Sequence, residues 1–330
     1  MTIPFLFVIM LRNSNHFAVA WQSDKYKRKY EKRGAIMSFL GYLINGISLG
    51  SVYAIIALGY TMVYGIAKML NFAHGDVIMV GAFAIYTAMS AIGLSPILSV
   101  VLAMVLCTIL GMTIEKIAYR PLRNAGSPLA VLITAIGVSY LLQNLGLLIF
   151  GADTKSFKSI VGMEALQFAE GQLTVSGEAV VTIIASVVIM IALTSFVKYT
   201  KAGRAMVAVS EDRGAAQLMG INVNGTIALT FAIGSALAAV AGALLCSSYP
   251  SLSPYVGSMP GIKAFVAAVF GGIGSIPGAM IGGILLGVIE NLSKAYISSQ
   301  LSDAIVFGVL IVVLLVKPTG ILGKNIQEKV

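Results

Sequence analysis

Apolar residues in this chain gather into runs at about 39–66, 77–93, 96–115, 129–150, 179–197, 226–247, 262–290 and 302–316. A helix rising about 1.5 Å per residue needs roughly 17–25 such residues to cross about 30 Å of hydrocarbon, and several of the runs reach that length. In lipid every backbone N–H and C=O must find its partner within the protein, so runs of this length read as helices. Over 330 residues the hydrophobic fraction is 58% and the charged fraction 11%. A soluble domain carries about 45–50% and about 25%, so one water-soluble core is excluded. The expected fold is an all-α integral membrane protein with about eight hydrophobic elements.

The formal net charge of +9 does not point to nucleic acid, because Lys and Arg form short clusters between apolar runs rather than one basic face. The clusters Lys116 to Arg123, Lys198 to Arg213 and the tail from Lys317 read as cytoplasmic loops. Membrane lipid is the expected surrounding. Cys107 and Cys246 lie inside apolar runs, and His16 and His74 are far apart, so neither a disulfide nor a metal site is expected.

Residues 1–36 differ from the rest, ending in the basic run Lys25 to Arg33. A signal peptide would place its positive charge before the apolar stretch, whereas here it follows Met1 to Leu11. The segment reads as an N-terminal extension, disordered or preceding the true start, and residues 37–330 as the membrane domain. An even number of crossings must separate any two cytoplasmic loops. Between Arg213 and Lys317 this requires 262–290 to cross twice or to dip and return, with the reversal at Gly271-Gly272-Ile273-Gly274-Ser275-Ile276-Pro277-Gly278. With a cytoplasmic amino terminus the first half has the same difficulty, which a broken or re-entrant element over 67–93 repairs. Each half then holds a long helix, an interrupted element and a further helix, the outline of a weak internal repeat.

Non-helical backbone at membrane depth is tolerated where it is buried in protein or lines a wet cavity, so both interrupted elements are candidate linings of a path. In the first, Asn71, His74 and Asp76 are costly in lipid and read as bracing for freed backbone groups, as substrate contacts, or as interfacial loop. In the second the candidates are Gly271, Gly272 and Gly274. Gln143 and Asn144 read as interhelical hydrogen-bonding groups, and Lys263 and Glu290 as interfacial. Residues 201–223 mix charge with Ala, Leu and Met at helical spacing, and Gly220 stops the pattern. A short amphipathic helix between two spans rests on the membrane surface or docks in a partner's groove, and the small pair Ala215 and Ala216 favours docking.

Asn71-Phe72-Ala73-His74-Gly75-Asp76, Gly203-Arg204-Ala205, Ala215-Ala216-Gln217-Leu218-Met219-Gly220-Ile221-Asn222 and Gly271-Gly272-Ile273-Gly274-Ser275 occur in that order. Together they resemble the LivH-type permeases of branched-chain amino acid ABC transporters, over residues 37 to 325. The resemblance implies a bacterial-type inner-membrane importer in which the chain pairs with a second, homologous permease, two cytoplasmic ATPases and an extracytoplasmic substrate-binding protein. It implies that 201–223 contains the helix coupled to the ATPase, with Arg204, Glu211, Ala215, Ala216, Gly220 and Asn222 as its candidate contacts. It implies no enzyme activity and no cofactor bound by this chain, ATP being used by the partners. The sequence agrees, since it carries no Gly-x-x-x-x-Gly-Lys-Ser/Thr phosphate loop. The expected cargo is a zwitterion with an apolar side chain, its carboxylate held by half-helix amino ends. Permeases for urea or short-chain amides share this architecture, and an ion-coupled secondary transporter is the rival from another class.

Overall fold

A computed structural model describes residues 4–124, 128–168, 171 and 173–323, with only the backbone described for 4–33, 124 and 128. The helices follow in order as α1 (Pro4–Ala67), α2 (His74–Ser90), α3 (Pro96–Ile114), α4 (Pro128–Phe150), α5 (Gly177–Tyr199), α6 (Lys201–Glu211), α7 (Arg213–Leu218), α8 (Val223–Ser248), α9 (Ser258–Gly271), α10 (Ile276–Tyr296) and α11 (Ser302–Val316). A π-helical turn, Glu115–Tyr119, and a 3-10 turn, Pro121–Asn124, follow α3. Short strands pair antiparallel, Lys155–Ser156 with Ser251–Leu252 and Leu166–Phe168 with Leu173–Val175. Among the described residues six helical stretches are long and apolar enough to cross a membrane: Gly34–Ala67, Pro96–Tyr119, Leu129–Phe150, Gly177–Tyr199, Val223–Ser248 and Ile276–Tyr296. The expected all-α membrane architecture holds, and the boundary expected at residue 37 falls within α1.

The α1–α10 interface is antiparallel and built on missing side chains. A Cβ on Gly50 would lie 2.6 Å from the Cα of Ile284, and one on Gly287 would lie 2.2 Å from the Cα of Gly50. Gly283 meets Ala54 in the same way. Lipid offers no hydrophobic drive between helices, so backbone approach at small residues supplies the van der Waals contact that holds them.

Whereas the basic run Lys25 to Arg33 lies in α1 ahead of the span that starts at Gly34, the basic loops that follow α3, α5 and α11 gather at one end of the bundle. There Arg213 donates to the Ala67 carbonyl, Gly65 touches Gly274, and Gly272 packs on Gly323. This is the cytoplasmic end. At the other end Gly41 touches Leu173, and Tyr42 lies edge-on to Tyr296 at 5.8 Å. The start of the Gly34–Ala67 span therefore sits opposite the basic loops. The first half is interrupted as expected, with α1 ending at Ala67 and α2 beginning at His74; with its entry opposite those loops, α1, the 68–90 segment and α3 make three crossings, so the element is broken rather than re-entrant. The second half behaves as expected, with α9 and α10 crossing in opposite directions and the chain reversing at Gly272 and Gly274, whose φ values are +107° and +91°.

The packing also makes the repeat visible. α1 lies on α10 as α8 lies on α3; α9 lies on α1 as α2 lies on α8; α2 and α3 pair as α9 and α10 do. Exchanging α1–α2–α3 with α8–α9–α10 maps these six helices onto one another, and α1 descends where α8 ascends. This is an inverted repeat, the arrangement that places a path between its halves.

Candidate translocation path and coupling surface

The two short helices α2 and α9 meet by their amino ends in the interior. A Cβ on Gly257 would fall 1.8 Å from the Gly75 carbonyl oxygen, and one on Gly261 would fall 2.9 Å from the Gly75 Cα, so backbone touches backbone. Among the described residues neither end has a side-chain cap. Two partly positive helix ends in contact call for an anion. Asp76, in the first turn of α2 and 2% exposed, fills that need and accepts 2.9 Å from Gln143 Nε2 on α4. Gln143 also lies 3.5 Å from Ser258 Oγ at the start of α9, so one amide ties α2, α4 and α9. The acidic side chain at this junction is thus the chain's own Asp76. Gln143 is interhelical, as expected; Asn144 is not, since it donates to Tyr140 within α4.

Asn71 and His74 are buried beside this junction. Asn71 Oδ1 accepts 2.9 Å from the Tyr119 hydroxyl, fastening the 68–73 segment to the turn after α3. The His74 ring stands edge-on to Tyr60 at 4.7 Å and rests on Gly59, where a Cβ would come within 2.5 Å of Nε2. That nitrogen is buried with no hydrogen-bond partner among the described residues. Gly271 packs on Gly278, and Gly272 and Gly274 supply the positive-φ reversal, so these glycines shape the turn rather than present a side chain.

Between the two interrupted elements is a narrow pocket of about 10 Å³, lined by Tyr60, Tyr64, Asn71, Phe265, Ala268 and Ile273 among others. That is room for about one water. Both halves of the repeat contribute to the walls of this pocket.

Nearer the outer side, Lys263 and Glu290 depart from the interfacial expectation. Glu290 is 1% exposed and accepts from Lys263 at 2.8 Å, Lys294 at 2.6 Å and Tyr53 at 2.9 Å. Lys263 is also 2.7 Å from Asp303. Two cations and two carboxylates make a neutral cluster joining α1, α9, α10 and α11, the form in which buried charge is tolerated.

The cytoplasmic connection differs from the single helix read in the sequence. Asp212 is extended, with φ −152° and ψ 115°, and its side chain accepts from Ala215 N at 2.9 Å, ending α6 and capping α7. An N-cap aspartate satisfies a free helical N–H and competes with helix continuation. α6 turns Gly203, Met206 and Val209 inward and leaves Arg204 and Glu211 exposed. On α7 and its exit Ala215, Gly220 and Asn222 are exposed, whereas Ala216 packs inward. Asn222 is also the cap of α8, accepting from Gly225 N at 2.9 Å. Leu218 and Met219, 90% and 82% exposed, were not singled out from sequence. Two large apolar side chains stand exposed beside Gly220 on the basic end, an apolar patch that water does not favour.

These features define a class: a multi-pass membrane protein built as an inverted repeat, with two interrupted helices meeting in its interior. Residues 42–314 match the family described as "Branched-chain amino acid transport system / permease component". The LivH permease protein of the high-affinity branched-chain amino acid transport system of Salmonella typhimurium is 47% identical over 303 residues, covering 88% of this chain and 98% of that protein. The BraD permease protein of the corresponding Pseudomonas aeruginosa system is 44% identical over 308 residues, covering 89% and 99%. A probable LivH of Methanocaldococcus jannaschii is 31% identical over 295 residues, covering 85% and 91%. This chain belongs to the branched-chain amino acid transport permease family.

Proposed function

We propose that this chain is the inner-membrane permease subunit of an ATP-driven importer of leucine, isoleucine and valine. The observation that carries the reading is the 47% identity to LivH over nearly the whole of that protein. In this reading the chain hydrolyses nothing and binds no cofactor. It pairs with a second, homologous permease, receives cargo from an extracytoplasmic binding protein, and takes its energy from two cytoplasmic ATPases.

The α6–α7 elbow seats in the ATPase. Arg204, Glu211, Ala215, Gly220 and Asn222 line the contact, Leu218 and Met219 fill an apolar pocket on the partner, and Ala216 anchors the elbow to the permease. When the ATPases close on ATP, the elbow moves, and Arg213 carries that motion to the end of α1 through the Ala67 carbonyl. The interrupted elements carrying Asn71, His74, Asp76, Gly271, Gly272 and Gly274 then part, opening the narrow pocket to one side at a time. The family's apolar cargo suits walls of Tyr60, Phe265, Ala268 and Ile273.

The test is uptake of labelled leucine by proteoliposomes holding the assembled importer, with valine, isoleucine and urea as competitors. Valine and isoleucine should compete and urea should not. Competition by urea alone would make the chain an amide permease of the same architecture.

A further inference from the structure

At the cytoplasmic end a cleft of about 720 Å³ opens between the end of α1, the segment after it, and the start of α4. One wall is apolar, with Leu122, Leu129 and Leu132, and the other is basic, with Lys68, Arg123 and Arg213. Leu129 is 62% exposed, and the same flank of α4 continues through exposed Ile133, Ile136 and Tyr140. The apolar wall thus runs directly into a strip that faces hydrocarbon.

The basic wall is not neutralised from within. Glu115 is buried and already held by Arg120 and Arg123. Asp212, beside Arg213, is turned to cap α7. Lys68 is exposed, makes no ion pair among the described residues, and sits at φ +52°, a conformation uncommon for lysine. Arg123 pairs with Glu115 and donates to Asn224, and its Nε is buried with no partner among the described residues, in a side chain 7% exposed. The charged residues described in its lining are three cations, Lys68, Arg123 and Arg213, with Glu115 buried behind Arg123. A zwitterionic amino acid suits it poorly, since among the described lining residues every charged side chain is a cation. A ligand with net negative charge and an apolar tail matches both walls.

We propose that this cleft seats an anionic glycerophospholipid of the cytoplasmic leaflet. Its phosphate lies among Lys68, Arg123 and Arg213, and an acyl chain runs along Leu129 and Leu132 onto the outer face of α4. Basic pockets between membrane helices at the cytoplasmic surface bind acidic headgroups in this manner. Because the cleft shares Tyr64, Met69 and Leu70 with the narrow pocket, the lipid also steadies the 68–73 segment. The inference does not depend on which cargo the protein carries.

The test is native mass spectrometry of the full chain, alone and assembled with its ATPases, in uncharged detergent. The probes are phosphatidylglycerol, phosphatidylcholine, soluble glycerol phosphate and leucine. Phosphatidylglycerol should be retained over phosphatidylcholine, in the free chain and in the complex. Lys68→Gln and Arg213→Gln should each weaken it about fivefold, and about 25-fold together, while Lys68→Arg keeps binding. Lys68 is exposed, so Lys68→Gln alone remains decisive if Arg213→Gln fails to fold. Equal retention of the two lipids, equal binding of glycerol phosphate, displacement by leucine, or loss of the lipid on assembly would each overturn the proposal.

Discussion

Replacing Glu290 by glutamine keeps the shape of the side chain and removes its charge. In the native protein the carboxylate accepts three hydrogen bonds, from Lys263, Lys294 and Tyr53. A hydrogen bond to a charged group contributes about 1.5–3 kcal/mol. The glutamine carbonyl keeps the Tyr53 bond, and Lys294, 39% exposed, returns to water. Lys263 loses one of two anions, and its remaining partner, Asp303, is 43% exposed. The net loss is about one buried, charge-assisted bond, or about 2–3 kcal/mol. Asp303→Asn leaves Lys263 on Glu290 and removes only the more solvated contact, which costs about 0–1 kcal/mol. Equilibrium unfolding in mixed micelles measures both. The double variant Lys263→Met with Glu290→Gln strands no cation, so it should lose at least 1 kcal/mol less than the sum of the singles. A neutral Glu290→Gln, or strict additivity, would refute the claim that these charges act as one buried network.

Gly50→Leu should prevent folding into a stable, monodisperse permease, because the side chain must enter the Ile284 backbone, whereas Gly137→Leu, with nothing within 4 Å, should leave the elution profile unchanged. Gln143→Leu removes the donor to buried Asp76 and should cost about 1–3 kcal/mol in the same unfolding assay, with Gln143→Glu no better because it sets a second acceptor against the first. Gly220 sits at φ +81° in open space, so Gly220→Ala should cost about 1 kcal/mol through backbone strain alone and Gly220→Asn clearly less.

The hydrophobic elements were legible in the sequence because lipid imposes length on them, and the reversal at 271–278 because Gly-Gly-x-Gly with Pro six residues on favours a turn. The pairing of halves was legible in outline for the same reason. What stayed hidden depends on contacts between distant segments. Lys263 and Glu290 read as interfacial because nothing local reveals that α9 and α10 face each other with Asp303 and Tyr53 alongside. Asn71 and Asp76 were visible as costly groups, but their partners Tyr119 and Gln143 stand 48 and 67 residues away. The break at Asp212 was missed because the apolar spacing runs on through it, and only the cap geometry separates α6 from α7. Leu218 and Met219 passed as ordinary helix members until the inward turn of Ala216 left them outside.

The central claim is that ATP hydrolysis by partner subunits drives transport through this chain at the α6–α7 elbow. It is tested most directly by measuring ATP-dependent leucine uptake in proteoliposomes for the intact importer and for Leu218→Glu with Met219→Glu. The account predicts uptake that requires ATP, and a variant that folds with unchanged thermal stability but neither retains its ATPases nor accumulates leucine. Accumulation without ATPases under an ion gradient, or full ATP-driven uptake by the variant, would contradict it.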